Sequence, residues 1–336
     1  MANSNIKKLI LIDSGINSTI IKNNVLSGKN FINNELETNY QDDNGHGTFC
    51  ASVIERLCPD VEFYILKVLN ENAASSTSIL KNALKYIPKL AARVVCLSLS
   101  THEYDEELES ICEDLMQKNY ILVSSVTNGR DTSYPAAFPS VIGVNSILMQ
   151  NDSDYWYSKQ IPIQCVADVT PIMVPNLDGS YKMFGGNSKA SAQFSSVILN
   201  MLAINPFIPF KNLNTELQLK AVRHSWTQKE IINGRKIDNF NCNQDIAKNK
   251  SSYHILKVIT DVIAHELNLN KEYIIQKLKT MPLFSILMAD DFYKILKAIF
   301  KVYNLDVNYK EIKYHYFLSI YTLSNYVEDQ IIKYGK

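Results

Sequence analysis

Between residues 7 and 205 the chain switches repeatedly between two hydrophobic periods, and that alternation restricts its fold more than any other feature. KKLILID (Lys7–Asp13), VEFYILKVL (Val61–Leu69), ARVVCLSL (Ala92–Leu99), YILVSSV (Tyr120–Val126) and VIGVNSI (Val141–Ile147) are short apolar runs rich in β-branched residues. Strands buried on both faces of a parallel sheet have this texture. Helical patterns separate them at Gly47–Leu57, Ser76–Leu90 and Tyr104–Asn119, the last with acids in its first turn, as the helix dipole favours. Strand–helix alternation predicts an α/β fold, a parallel sheet covered by helices on both faces. Such sheets bind ligands beyond the carboxyl ends of their strands.

After about Asn205 the pattern breaks. Pro206 and Pro209 interrupt it, and Gln228–Ser252 is polar and irregular. From Tyr253 to Lys336 the periodicity is helical throughout. The chain of 336 residues therefore divides into an α/β domain over 1–205, a closing segment and linker over 206–251, and a small all-α bundle over 252–336.

Thirty-four basic residues balance thirty-four acidic ones, so no net field draws the chain to nucleic acid or an anionic membrane. No stretch is apolar for long enough to span a bilayer, and the N-terminus does not read as a signal peptide. The six cysteines (Cys50, Cys58, Cys96, Cys112, Cys165, Cys242) form no C-x-x-C pair and sit largely in apolar runs. Buried free thiols in a reducing, cytoplasmic compartment are the expectation. No cofactor or metal is expected. His265-Glu266 starts like a zinc motif, but Leu269 stands where the second histidine belongs. Asp42-Asp43 reads as a solvated turn, and no acidic cluster commits to calcium.

Four residues carry candidate chemistry. Asp13 ends the first apolar run before Ser14-Gly15; alone it reads more readily as a turn aspartate. His46 lies between two glycines at the start of a helix, which leaves the imidazole unobstructed. Asn128 closes an apolar strand before Gly129, where an amide can stabilise an oxyanion or simply make a turn. Ser188, in FGGNSKASA, opens a helix, as a nucleophile or as a capping residue. A serine nucleophile needs a base, and the base needs an acid to hold its tautomer. Asp13, His46 and Ser188 occur in the order Asp…His…Ser, which is that of subtilisin.

Across roughly Lys7–Asn205 the chain resembles a subtilase, a subtilisin-like serine protease. Ile12-Asp13-Ser14-Gly15 matches the first family signature, D-[ST]-G at a strand end. His46-Gly47-Thr48-Phe49-Cys50-Ala51 matches H-G-T-x-x-A in full, and Asn128 precedes Tyr134-Pro135-Ala136 as the family's oxyanion asparagine does. Gly186-Asn187-Ser188-Lys189-Ala190-Ser191-Ala192 matches G-T-S-x-A-[AS]-P more loosely. The resemblance implies a three-layer subtilisin-like fold, a triad of Asp13, His46 and Ser188, and Asn128 as oxyanion donor. It also implies a groove in which an extended peptide adds as a strand, between Lys67-Val68-Leu69 and Ser98-Leu99-Ser100. Asn187 replaces the usual Thr, Ala192 the usual Pro, and Ser100 a usual Gly at the groove floor, which narrows or tilts the pocket for the residue before the cleaved bond; Lys189 occupies a variable position. Secreted members carry a long N-terminal pro-region. With Asp13 so near Met1, the expectation is a chain that folds without one.

Residues 252–336 resemble an acyl or peptidyl carrier domain, whose F-x-x-L-G-x-D-S-L loop carries phosphopantetheine on its serine. In FSILMADDF, Asp290 matches the aspartate, Asp291 stands at the serine and Met288 at the glycine, so the attachment hydroxyl is missing. Any small helical bundle would share the pattern. Together the resemblances imply a cytoplasmic endopeptidase that cleaves a particular peptide or protein, such as a natural-product precursor, with the helical module docking a biosynthetic enzyme. A peptide-binding homologue without catalysis, and an acyl or peptidyl transferase using the same triad, are the alternatives.

Overall fold

A computed structural model describes residues 7–22, 24–32, 35–149, 151, 153–235, 252–278 and 281–334. Its frame is an eight-stranded sheet. Strands β1 (Lys7–Asp13), β2 (Val25–Asn30), β3 (Val61–Lys67), β4 (Val94–Leu97), β5 (Ile121–Ser125), β6 (Val141–Ile147), β7 (Trp156–Tyr157) and β8 (Cys165–Asp168) lie in the order β2-β3-β1-β4-β5-β6-β8-β7. All pair in parallel except β7, which runs antiparallel to β8. The five apolar runs of the sequence are the five central strands, and β4, β5 and β6 are buried at every position. β2 and β7 lie at the two edges, where half-exposed or very short strands leave little hydrophobic pattern to read.

Helices α1 (His46–Leu57), α2 (Thr77–Tyr86), α3 (Glu106–Gln117) and α4 (Gly186–Ile204) cover the sheet. Ile10, Ile12, Val95, Leu97 and Leu122 share a core with Leu80, Ala83 and Leu84 of α2 and Leu108, Cys112 and Leu115 of α3. Alternate strand residues point to opposite faces, so Leu9 and Leu11 face the other layer, where α4 packs against α1 and against β1, β4, β5, β6 and β8. The Asp105 carboxylate caps α3 by accepting the Leu108 N–H at 2.8 Å. Helices α5 (Phe210–Lys220) and α6 (Gln228–Gly234) follow, the latter opened by a Thr227–Glu230 capping box.

By their contacts the residues form two compact units, Met1–Thr170 with Gly185–Lys236, and Pro171–Phe184 with Ile237–Lys336. This differs from the sequence division over 1–205, 206–251 and 252–336 in one instructive place. The stretch 171–184, expected within the α/β domain, belongs with the C-terminal helices. It forms an antiparallel hairpin, β9 (Ile172–Pro175) and β10 (Tyr181–Phe184), and two strands alone cannot bury their apolar face. Met173 and Met183 instead enter the core of α7 (Tyr253–Glu266), α8 (Lys271–Leu278), α9 (Asp291–Val302) and α10 (Ile320–Tyr334). The Met183 N–H donates to Ala289 O at 3.0 Å. Tyr181 stacks on Tyr309 with ring centres 4.2 Å apart and tilts against Tyr293 at 4.6 Å.

In the FSILMADDF loop both acids serve local structure. Asp291 Oδ2 accepts the Met288 N–H at 2.8 Å at the head of α9, and Asp290 pairs with Lys182 of the hairpin at 3.1 Å. Of the six cysteines, Cys50, Cys58, Cys96, Cys112 and Cys165 are free and buried, while Cys242 lies outside the described residues. No helix among the described residues is long and apolar enough to cross a membrane.

Both tryptophans, Trp156 and Trp226, lie in the first unit, so their fluorescence reports that unit alone. Tyr181→Ala, by removing its aromatic contacts, costs the second unit about 1–3 kcal/mol. In denaturant titration part of the helical circular dichroism change, that of the second unit, moves to lower denaturant, while the tryptophan fluorescence transition stays in place.

Candidate active site

Asp13 is the last residue of β1, at the carboxyl edge of the sheet, and is fully buried. Its Oδ1 accepts the Ser14 N–H at 2.7 Å, and its two oxygens lie 2.8 and 3.0 Å from His46 Nδ1. With Nδ1 held as the donor to a carboxylate, Nε2 becomes the acceptor, the tautomer a general base requires. Burial disfavours the protonated ring, but the Asp13 charge, together with Cys50 and the hydrogen bonds to both, outweighs it and holds the His46 pKa well above its ordinary value.

A second carboxylate supports this pair. Asp42 is 2% exposed, so the solvated turn expected at Asp42-Asp43 is half wrong. Its oxygens accept the Ser14 hydroxyl (2.8 Å), the Asn44 and Gly45 N–H groups (3.1 and 2.7 Å), and the Thr48 N–H and hydroxyl (2.8 and 2.6 Å). A buried carboxylate is tolerable only when donors surround it in this way. Here they wrap the loop ahead of α1 into one geometry. The two glycines beside His46 complete it. Gly45 has φ +103°, and a Cβ on Gly47 would stand 2.2 Å from Gly15 O. Asp43 is the exposed half of the turn, and its carboxylate reaches the buried Lys67 ammonium at 2.7 Å.

Ser188 is half-buried in the first turn of α4. Its carbonyl accepts the Ser191 hydroxyl at 3.0 Å and the Ser98 hydroxyl at 3.5 Å, which ties the segment after β4 to the start of the helix. Ser188 Oγ makes no hydrogen bond among the described residues; such contacts are often long until substrate binds. Asn128 follows β5 and is exposed, and its carboxamide lies against Gly186, where a Cβ would approach it to 3.3 Å. Asn128 Oδ1 accepts the Asn187 N–H at 3.1 Å, so Nδ2 is the end left to donate. A buried carboxylate on an imidazole, a serine in a helix's first turn and an oriented amide beside it are the components of acyl transfer.

A family model described as "Subtilase family" matches residues 7–235, more than half of the chain. The chain belongs to the subtilase family. Subtilisin E of Bacillus subtilis (strain 168) is 24% identical over 214 residues, covering 59% of this chain and 56% of that one. The Major intracellular serine protease of the same organism is 24% identical over 212 residues, covering 57% and 66%. The chain thus spans between about half and two thirds of these relatives' lengths. Among solved structures Sphericase shares the fold, with a TM-score of 0.54 at 19% identity, covering 63% of this chain and 82% of that one.

Within this subtilase the groove departs from expectation. Lys67 and Val68 are buried, and their backbone groups are taken: Lys67 O accepts the Phe31 N–H at 2.9 Å, and the Val68 and Leu69 N–H groups donate to Asp13 O at 2.8 and 3.3 Å. A strand-adding peptide needs unpaired backbone groups, and Lys67 O and the Val68 and Leu69 N–H groups are already bonded within the protein. Lys67 Nζ is likewise spent on Gln41 O and Asp43. A cleft of about 460 Å³ lies just beyond, lined by His46, Leu69, Ala73–Ser76, Thr77, Leu80 and Ser98–His102. Leu69 and Ser98-Leu99-Ser100 line this cleft, although the Leu69 N–H is bonded to Asp13 O, and Ala73–Ser76 form a wall that sequence reasoning missed. That short stretch of small residues has no periodicity of its own. Ser100 Oγ and Thr127 Oγ1 meet at 2.7 Å, bridging the segments that follow β4 and β5.

Lys189, taken from sequence as a variable position, is 2% exposed and pairs with Asp168 at 2.7 Å. That ion pair fastens the turn carrying Ser188 to the end of β8. Among the described residues Asp13, His46 and Cys50 form a cluster with ligating geometry for a metal. Asp13 is already committed to His46, and burial pushes the Cys50 thiol up, keeping it protonated and a poor ligand.

Lys189→Met leaves Asp168 charged and buried without its cation. Thermal or chemical denaturation of the first unit, read by tryptophan fluorescence, then shows a loss of about 3–5 kcal/mol.

Proposed function

We propose that the chain is a serine endopeptidase acting on a specific peptide or protein. The observation that carries this reading is the Asp13–His46 pair, buried at one end and open to the cleft at the other. Ser188 Oγ attacks the scissile carbonyl while His46 Nε2 takes its proton. Asp13 holds the Nδ1–H and stabilises the imidazolium, and Asn128 Nδ2 donates to the carbonyl oxygen as it becomes negative. His46 then returns the proton to the leaving amine, and water releases the acyl group by the same route.

The Ser100–Thr127 hydroxyl bridge closes the space between two walls of the groove, which favours a small residue before the cleaved bond. Five buried thiols accord with a reducing, cytoplasmic setting. The second unit, carrier-like in its sequence order but with Asp291 in place of the attachment serine, is assigned a docking role toward a biosynthetic enzyme. A second reading, peptide binding without turnover, draws support from one observation: Ser188 Oγ has no hydrogen bond among the described residues.

A small fluorophosphonate probe separates the two. Ser188 Oγ displaces fluoride from phosphorus and His46 takes the proton, so the wild type is labelled and Ser188→Ala is not; equal labelling of both contradicts the assignment. Cleavage follows His46 in its neutral form. Because its pKa is raised, kcat/KM falls as pH drops through a midpoint above the ordinary value of about 6.5. A midpoint at or below that value contradicts the Asp13 pairing. Ser100→Gly opens the bridge, and a peptide library then shows larger residues accepted before the cleaved bond.

A further inference from the structure

Asn187 sits where subtilases usually place Thr, one residue before the proposed nucleophile, and it is 1% exposed. Its carboxamide is held at both ends. Nδ2 donates to Val126 O at 2.8 Å, while Oδ1 accepts the Ser146 hydroxyl at 2.5 Å and Arg235 Nη2 at 3.1 Å. A carbonyl at one end and a guanidinium at the other permit only this orientation of the amide. The Asn187 N–H in turn donates to Asn128 Oδ1, the contact that leaves Asn128 Nδ2 free to donate.

Arg235 reaches this position through a built support. Its Nε donates to Ser146 O at 2.9 Å and its Nη2 also bonds Asn145 Oδ1, so the guanidinium clamps the end of β6 and the residue before Ser188 together. Gly234 brings it there: the Leu148 N–H donates to Gly234 O at 2.7 Å, and a Cβ on Gly234 would stand 2.8 Å from Ile147. At its other end α6 is fastened beyond Asn128, where Gln228 Nε2 donates to Asp131 Oδ1. The helix therefore spans the loop that carries Asn128, bonded to the loop at one end and, through Arg235, to Asn187 at the other.

We propose that Arg235 is a positioning residue for the oxyanion donor: through Asn187 it fixes the Asn128 carboxamide in its donating orientation. The replacement of Thr by Asn before the nucleophile is then one half of a pair, and the guanidinium from α6 is the other. Arg suits this task and Lys does not, because three acceptors at fixed angles need a planar fork of donors. The inference rests on Ser188 and Asn128 acting as proposed above.

The full chain carrying Arg235→Met, Asn187→Ala or both is compared with the wild type. Readings are the rate of Ser188 labelling by the fluorophosphonate, kcat and KM on a peptide substrate, and the melting temperature. Removing an oxyanion donor outright costs about 10²–10³-fold, and misplacing one costs less, so Arg235→Met slows labelling and lowers kcat about 10- to 100-fold. KM stays near the wild-type value and the protein remains folded at the assay temperature. The double variant is no slower than the slower single, because both substitutions break one link. Labelling of folded Arg235→Met at the wild-type rate overturns the proposal and leaves the proposed function standing. So do losses that multiply in the double variant, or a loss that lies wholly in KM. A wild type that is not labelled overturns both. Should Arg235→Met fail to fold, Arg235→Gln, which keeps a single donor group, takes its place with the same readings.

Discussion

A carboxylate with no exposure to water, bonded to an imidazole that opens on a cleft, sets the terms for the rest of the first unit. An isolated buried charge costs far more than a domain can spare, so Asp13 must be met by donors wherever the chain places it. Ser14 supplies one at 2.7 Å and His46 the other. The imidazole in turn has to be delivered at the right height above the strand edge. Asp42 does this, gathering Ser14, Asn44, Gly45 and Thr48 so that the chain before α1 has one conformation. Ser14 joins the two carboxylates: its N–H serves Asp13, its hydroxyl donates to Asp42 and accepts the Gly47 N–H.

The start of α4 is held by different means. The first turn of α4 is fixed from three directions. Lys189 reaches back to Asp168 at the end of β8, Asn187 bonds Val126, Ser146 and Arg235, and the Ser188 carbonyl accepts Ser98 and Ser191 hydroxyls. The anchors outside α4 itself lie at or just past strand ends and, for Arg235, just past α6, rigid supports for the turn that carries the proposed nucleophile. The loosened signature around Ser188 is thus accompanied by a dense local network. Asn187 and Lys189, the residues that depart from or are neutral to the family pattern, make its buried contacts.

The central strands were legible because their burial on both faces leaves unbroken apolar runs, and Asp13 and His46 because strand ends and glycine-flanked histidines mark themselves. Edge strand β2 and the hairpin β9–β10 were not. Their residues are half-exposed, and Met173 and Met183 find their core only among helices more than seventy positions away in sequence. Asp42 read as a turn acid because its nearby donors, Asn44 and Gly45, are those of an ordinary turn, while its burial depends on the chain folding back to Ser14, a partner that no local window couples. The same holds for Lys189 and Asp168, and for Arg235 and Asn187, whose pairing exists only once β6, β8 and α6 are assembled. The groove reading at Lys67 and Val68 came from the family resemblance, which aligns segments without showing what their backbone groups already bond: Lys67 O takes the Phe31 N–H, and Asp13 O takes the Val68 N–H.

The account stands on the Asp13–His46 hydrogen bond, and nitrogen-15 and proton NMR of the His46 ring tests it directly. A ring held as the structure holds it keeps a far-downfield Nδ1 proton through neutral pH, titrates at Nε2 with a pKa above about 6.5, and loses both signatures in Asp13→Asn. Titration at or below that value, or the same spectrum with and without the Asp13 carboxylate, would contradict it.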